Sequence, residues 1–153
     1  MITVIAVGKI KERYLREGID DYLKRLTRFG KTEIIEIAEE NCDVNPALAV
    51  SAEGKKMADR IPKGAYLIGL DVQGKQWTSE GFSEKIQSLF TAGNSHICFL
   101  IGGSCGLSAE IKARCDELIS FSKMTFPHQL FRMILMEQIY RAFKIMQNET
   151  YHK

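Results

Sequence analysis

The stretch that decides the fold reads His96-Ile97-Cys98-Phe99-Leu100-Ile101-Gly102-Gly103-Ser104-Cys105-Gly106-Leu107-Ser108. After His96 the run is apolar throughout, the pattern of a strand buried on both faces, as in a parallel sheet. Gly102-Gly103 closes the strand, and Ser108 can cap a short helix beyond the loop.

The same alternation extends outward in both directions. Ala65 to Leu70 reads as a strand, and Val72-Gln73-Gly74-Lys75 turns out of it into a helix marked by Phe82, Ile86, Leu89 and Phe90. Residues 2–7 form an apolar run bounded by Gly8. Residues 12–28 carry Leu15, Ile19, Tyr22, Leu23 and Leu26 at helical spacing, Thr32 to Ile37 is β-rich, and Asn45-Pro46 is a helix start, with an N-cap followed by proline. Leu118 to Phe121 makes a last strand, and Pro127 opens a long helix running to about Gln147. There is no repeat, linker or low-complexity segment, so residues 1–153 are read as a single α/β domain with a mostly parallel sheet flanked by helices. Ligands of such sheets sit beyond the carboxyl ends of strands. That singles out the loops after Leu70, Ile101 and Phe121.

The bulk properties agree. The chain has 153 residues, 45% hydrophobic and 26% charged, a composition suited to one globular core. No apolar run approaches the roughly 20 residues of a membrane span, and Met1 to Gly8 lacks the basic region of a signal peptide. Cytoplasm is therefore the expected location. The four cysteines (Cys42, Cys98, Cys105, Cys115) show no CxxC pair, so neither a zinc site nor a disulfide framework is expected. Net charge is only +2, but five Lys/Arg face two acids from Lys123 onward, and Lys24, Arg25, Arg28 and Lys31 form a second basic cluster. Such clusters are either solvated faces or phosphate contacts.

The final helix is apolar around most of its circumference, from Leu130 to Met146, with a polar stripe of Glu137, Arg141 and Lys144. Such a helix must be buried on more than one side. Either it is central to the monomer or a second copy of the chain covers one face.

Gly102-Gly103-Ser104-Cys105-Gly106 fails as a dinucleotide fingerprint and as a phosphate loop, but contains the GxSxG of a serine-hydrolase elbow, with Asp116 and His128 following in order. From pattern alone the favoured reading is a glycine-rich turn that reverses the chain, since the chain is short for a hydrolase fold and Asp116 follows Ser104 by only twelve residues. Cys105 has no companion base fixed by spacing, and Cys98 reads as core. The tail Tyr151-His152-Lys153 combines an aromatic, an imidazole and a cation, which together can stack on a base, move a proton and meet a phosphate.

Four ordered motifs carry a resemblance over the whole chain: Leu100 to Ser108, Met124 to Leu130, Glu137-Gln138-Ile139-Tyr140-Arg141-Ala142, and Tyr151-His152-Lys153. Together with Val7-Gly8-Lys9 and the Leu70 to Lys75 turn, they closely resemble the ribosomal RNA large subunit methyltransferase H family of the SPOUT class. The resemblance implies an α/β fold with a C-terminal trefoil knot, a topology that general rules of chain connection would reject. It also implies S-adenosyl-L-methionine as methyl donor and a pseudouridine N3 of 23S rRNA in the assembled ribosome as acceptor. A homodimer is implied, with no metal and no membrane. Non-catalytic ribosome binding, or hydrolysis through Ser104, are the alternatives.

Carried over residue by residue, the donor site comprises Leu70, Gly102 and Phe121-Ser122-Lys123-Met124-Thr125-Phe126. Tyr151, His152 and Lys153 are the expected catalytic end, and His128, Arg132 and Arg141 the expected RNA contacts. Two positions depart from the family pattern. Cys105 stands where another residue is more frequent, and Thr150 where a proline commonly precedes Tyr-His; the first is expected to be harmless and the second to loosen the tail.

Overall fold

Every residue of Ile2–Val7 is buried, which a strand achieves only when both of its faces are covered. In the computed structural model, which describes residues 1–153, this strand is β1. It is followed by α1 (Arg13–Leu26), β2 (Thr32–Ile37), α2 (Pro46–Ala58), β3 (Tyr66–Gln76), α3 (Ser79–Thr91), β4 (Ile97–Ile101), α4 (Ala109–Arg114), β5 (Glu117–Ser120) and α5 (His128–Met146). The five strands form one parallel sheet in the order β2-β1-β4-β3-β5.

The period-2 alternation of the central strands divides the core. Ile2, Val4 and Ala6 of β1, with Phe99 of β4, join the larger cluster under α1, α3 and α5. Ile5 and Val7, with Cys98 and Leu100, join the smaller cluster that includes Met57 of α2 and Ile111 of α4. The anticipated caps form: Asn45 accepts from the Leu48 amide at 3.1 Å and Ser108 from the Ile111 amide at 3.2 Å. Thr78 caps α3 in the same way, accepting from the Gly81 amide at 3.0 Å.

The strand expected to end at Leu70 continues to Gln76. Leu70 and Lys75 both pair with Ile119, so Asp71 to Gly74 leave the ladder as an excursion and the chain then rejoins β5. A Cβ at Gly74 would lie 2.6 Å from the Ile119 carbonyl carbon, so only glycine permits this crossing. Hydropathy cannot anticipate it, because the returning residues are polar and are ordered by backbone pairing.

Helix α5 packs against both α1 and α3, and each of its residues is buried or half-buried within the single chain. Leu135, Met136 and Ile139 are fully buried, each contributing about 1.5–3 kcal/mol through apolar burial. No helix is long and apolar enough to cross a membrane.

Candidate active site

Because all strands run parallel, the segments following β3, β4 and β5 emerge at one end of the sheet. They surround a cavity of about 350 Å³, within the usual range for small-molecule sites. Leu70, Gly102, Phe121, Ser122, Met124, Thr125 and Phe126 all line it. Lys123 does not: its neighbours are Val72, Gln73, Gly74 and Gln76, which form a separate shallow depression. The turn geometry explains why. Ser120 Oγ donates to the Ser122 carbonyl and the Met124 amide donates to Ser122 Oγ, so the loop reverses at Lys123 and leaves it exposed.

Aromatic packing fixes the Phe121–Phe126 segment. The rings of Phe121 and Phe126 lie 5.1 and 6.0 Å from that of Phe131 on α5. The opposite wall is tighter. A Cβ on Gly102 would meet the Gly106 carbonyl carbon at 2.4 Å and the Leu107 amide nitrogen at 2.8 Å. The Gly102–Gly106 turn thus closes on itself, backbone against backbone, and presents peptide groups to the cavity. Asp71 and Lys112, paired at 3.2 Å, also line it. Asp71 follows Leu70 directly and was within reach of the strand-end argument; Lys112 carried no sequence signal. A smaller cavity of about 230 Å³, which Trp77, Phe82 and Gln138 help to line, shares Phe121 and Phe126 with the first.

His128 lines the main cavity, and its Nε2 is buried without a hydrogen-bond partner. Arg132 is no RNA contact. It is 1% exposed, its guanidinium donating to the Gly8 carbonyl at 2.9 Å and to Glu36 at 3.2 Å. Burial lowers its pKa while Glu36 opposes the shift. One helical turn from His128, its side chain points under the sheet end instead of outward. No composition count could reveal that.

The tail lies away from this cavity in its own chain. Tyr151 donates to Glu137 at 3.1 Å, and Arg141 grips the same carboxylate at 2.6 Å, the i,i+4 pair expected from the helix stripe. Arg141 also donates to His152 Nδ1 at 3.0 Å. Arginine has no acceptor, so the imidazole carries its proton on Nε2 and donates it to Glu80 at 2.6 Å. Burial first, and Glu137 second, push the Tyr151 phenol up and keep it a donor. Arg141 is half-buried and engaged on both sides. Lys153 is exposed.

The hydrolase alternative has no geometry. Ser104 Oγ donates to Glu39 at 3.4 Å, and Asp116 accepts from the Leu67 amide at 2.7 Å, so no Ser-His-Asp relay forms. No group of three or more His, Cys, Asp or Glu is arranged to hold a metal ion.

The expectation of no disulfide is overturned: Cys42 and Cys105 are bonded, with Cα atoms 6.7 Å apart. They are 63 residues apart in sequence, and parallel pairing brings the segments after β2 and β4 to the same sheet end on either side of β1. Spacing rules look for nearby cysteines and miss such a pair.

A family description of predicted SPOUT methyltransferases matches residues 1–152. The chain belongs to that family. Within it, proteins named ribosomal RNA large subunit methyltransferase H from Ruminiclostridium cellulolyticum and Bacillus cytotoxicus are 50% and 47% identical to this chain, and one from Clostridium perfringens is 51% identical. Each alignment covers 99% of both chains, so the chain is a member of the methyltransferase H group of SPOUT proteins. Distant solved structures share the fold. A probable methylase family protein from Haemophilus influenzae has a TM-score of 0.54 at 13% identity, covering 99% of this chain and 69% of that one. A probable methyltransferase from Bordetella pertussis has a TM-score of 0.53 at 10% identity, covering 92% and 95%.

Proposed function

We propose that this SPOUT protein transfers a methyl group from S-adenosyl-L-methionine to N3 of a pseudouridine in 23S rRNA, in the assembled ribosome, and that it does so as a cytoplasmic homodimer. The observation that carries the reading is the meeting of Leu70, Gly102 and Phe121–Phe126 around one cavity, in a chain half identical along its length to large-subunit rRNA methyltransferases.

The cavity suits the donor. Phe121, Phe126 and Leu70 offer apolar surface to an adenosine, and the turn at Gly102 offers backbone donors and acceptors where a larger side chain would not fit. When bound, the donor supplies an activated methyl on a sulfonium, so the protein's part is alignment and exclusion of water. The acceptor nitrogen must lose a proton to become nucleophilic, which calls for a base nearby. Tyr151 would stack on the acceptor base, His152 take the proton, and Lys153 meet developing negative charge. Since both ring nitrogens of His152 are engaged within its own chain, the imidazole must leave Glu80 and Arg141 to act. We place the tail in the partner subunit's site, which makes dimerisation catalytic. His128, on the cavity wall, is the second candidate for the proton and, with Arg141, for RNA contact. The excursion at Asp71–Gly74, pressed against Ile119, is consistent with a chain threaded as a trefoil knot.

The deciding experiment supplies tritiated donor with intact ribosomes, free subunits and naked rRNA, and maps the labelled base. Label at a pseudouridine in intact ribosomes supports the reading. Absence of donor binding by calorimetry would favour a non-catalytic ribosome-binding factor. Deleting Tyr151–Lys153 should abolish methylation with donor affinity kept within a few-fold; normal methylation by the truncated chain removes the tail assignment. A monomer at micromolar concentration sinks the dimer.

A further inference from the structure

Cys105 lies in the turn that walls the cavity, whereas Cys42 belongs to the segment between β2 and α2. Their Cα separation of 6.7 Å falls within the span a disulfide bridges without backbone movement. Contacts to α2 brace the β2–α2 segment, and one exposed hydrogen bond links it to the turn. The Glu40 amide donates to buried Glu53 at 3.0 Å, Lys56 pairs with Glu40, and Ser104 Oγ donates to Glu39 at 3.4 Å. The fold thus brings the two sulfurs together, which favours closure over capture by a second molecule.

Access is also selective. Cys105 is exposed and Cys42 half-buried, so soluble thiols and disulfides reach the pair. Cys98 is wholly buried, its thiol pushed up to about 12 by desolvation, and burial pushes Cys115 up to about 11. Neither supplies an appreciable thiolate near neutrality, and the thiolate is the attacking species.

We propose that Cys42 and Cys105 form a reversible redox modification site that fixes the wall of the donor cavity, with a low-molecular-weight disulfide as its oxidant. The thiolate of Cys105 attacks the small disulfide, giving a mixed disulfide and one released thiolate. The thiolate of Cys42 then attacks Cys105 Sγ and expels the second. Two cysteine thiols and one small disulfide thus become one protein disulfide and two small thiols, the two electrons passing to the oxidant and the two protons to its leaving groups. Within a cytoplasm, a disulfide of this kind is a transient, redox-sensing one. The oxidised form holds Gly102–Gly106 against the β2–α2 segment in the cavity-forming shape. Reduction unties that turn from its support and lowers its preorganisation for ligand.

The effect on ligand rests on the donor reading of the cavity, so the test has two independent arms. The full-length protein is equilibrated with oxidised or reduced glutathione, alkylated, and mapped by mass spectrometry. The expected result is a Cys42–Cys105 linked peptide that appears and disappears reversibly, with Cys98 and Cys115 unmodified. Calorimetry with S-adenosyl-L-methionine should then show affinity about three- to tenfold weaker in the reduced protein. Cys42→Ser, which leaves the cavity lining intact, should bind equally in both buffers. Free thiols at both positions after oxidation overturn the proposal, as does a redox-independent affinity of the unsubstituted protein. Loss of donor binding in both buffers overturns the donor reading and the coupling to it, while the masses still decide the modification site.

Discussion

Arg132 Nη2 donates to the backbone carbonyl of Gly8 at 2.9 Å, across 124 residues of chain. The bond ties the first helical turns of α5 to the carboxyl end of β1. Because the Gly8 backbone lies beside His128, with a Cβ there falling 3.2 Å from His128 Nε2, the same tie sets one wall of the cavity.

Replacing that guanidinium leaves the buried Gly8 carbonyl and exposed Glu36 without their donor. Arg132→Met should lose about 2–4 kcal/mol of folding stability, measured by urea denaturation. Arg132→Lys should recover only part of it, since one ammonium cannot reproduce the planar fork. A loss confined to RNA affinity, with unchanged stability, would contradict the buried role.

The self-closed turn at Gly102 makes a sharper prediction. Gly102→Val forces side-chain atoms into the Gly106 backbone, where even a Cβ would be 2.4 Å away. The variant should lose about 1–3 kcal/mol of stability and at least about 100-fold in affinity for S-adenosyl-L-methionine, read by calorimetry. Gly103→Ala meets only Val7 Cγ1, at 3.0 Å, and the Glu53 carboxylate, so its affinity should fall far less.

Alkali should weaken the fold through Cys98. A thiol whose folded pKa is raised contributes its full stability below the unfolded value and loses it as pH climbs toward the folded one. For Cys98 that window runs from 9.0 to about 12. Urea midpoints should therefore start to fall as pH passes about 9 and keep falling toward about 12. Cys98→Ala should start lower, because it opens a cavity, yet fall less steeply. Parallel slopes for the two proteins would show that other groups control the alkaline limb.

The tail is held by a clamp remote from the cavity. Glu149 receives Arg28 at 2.5 Å and also pairs with Lys144, whose hydrogen bond above all holds its carboxyl below the usual range. Glu149→Gln should speed amide exchange at residues 150–153 several-fold at fixed pH, and about 0.5 M salt should mimic it. If the tail works in a partner's site, the same change should alter methylation more than donor affinity.

Much of this molecule was legible before its structure. The unbroken apolar run of Ile97–Ile101, the caps at Asn45 and Ser108, and the stripe of Glu137 and Arg141 follow from local rules, because each depends on neighbours within a few residues. The three post-strand loops followed from one more step, since a parallel sheet sends them all to one end. Arg132 is the opposite case: its burial depends on where Val7 and Gly8 lie, far away in the chain.

By itself, then, the sequence determined the element order, the two-sided sheet, the cavity loops and the family, all carried by short-range patterns and ordered motifs. Tertiary structure alone decided that Asp71–Gly74 returns to β5, that Lys123 turns from the cavity, and that Arg132 is buried. It also decided that Cys42 reaches Cys105 and that the tail folds onto Glu137, Arg141 and Glu80. Each of these is a contact between distant segments, fixed by strand pairing and packing, and no local pattern of residue types encodes such a distance.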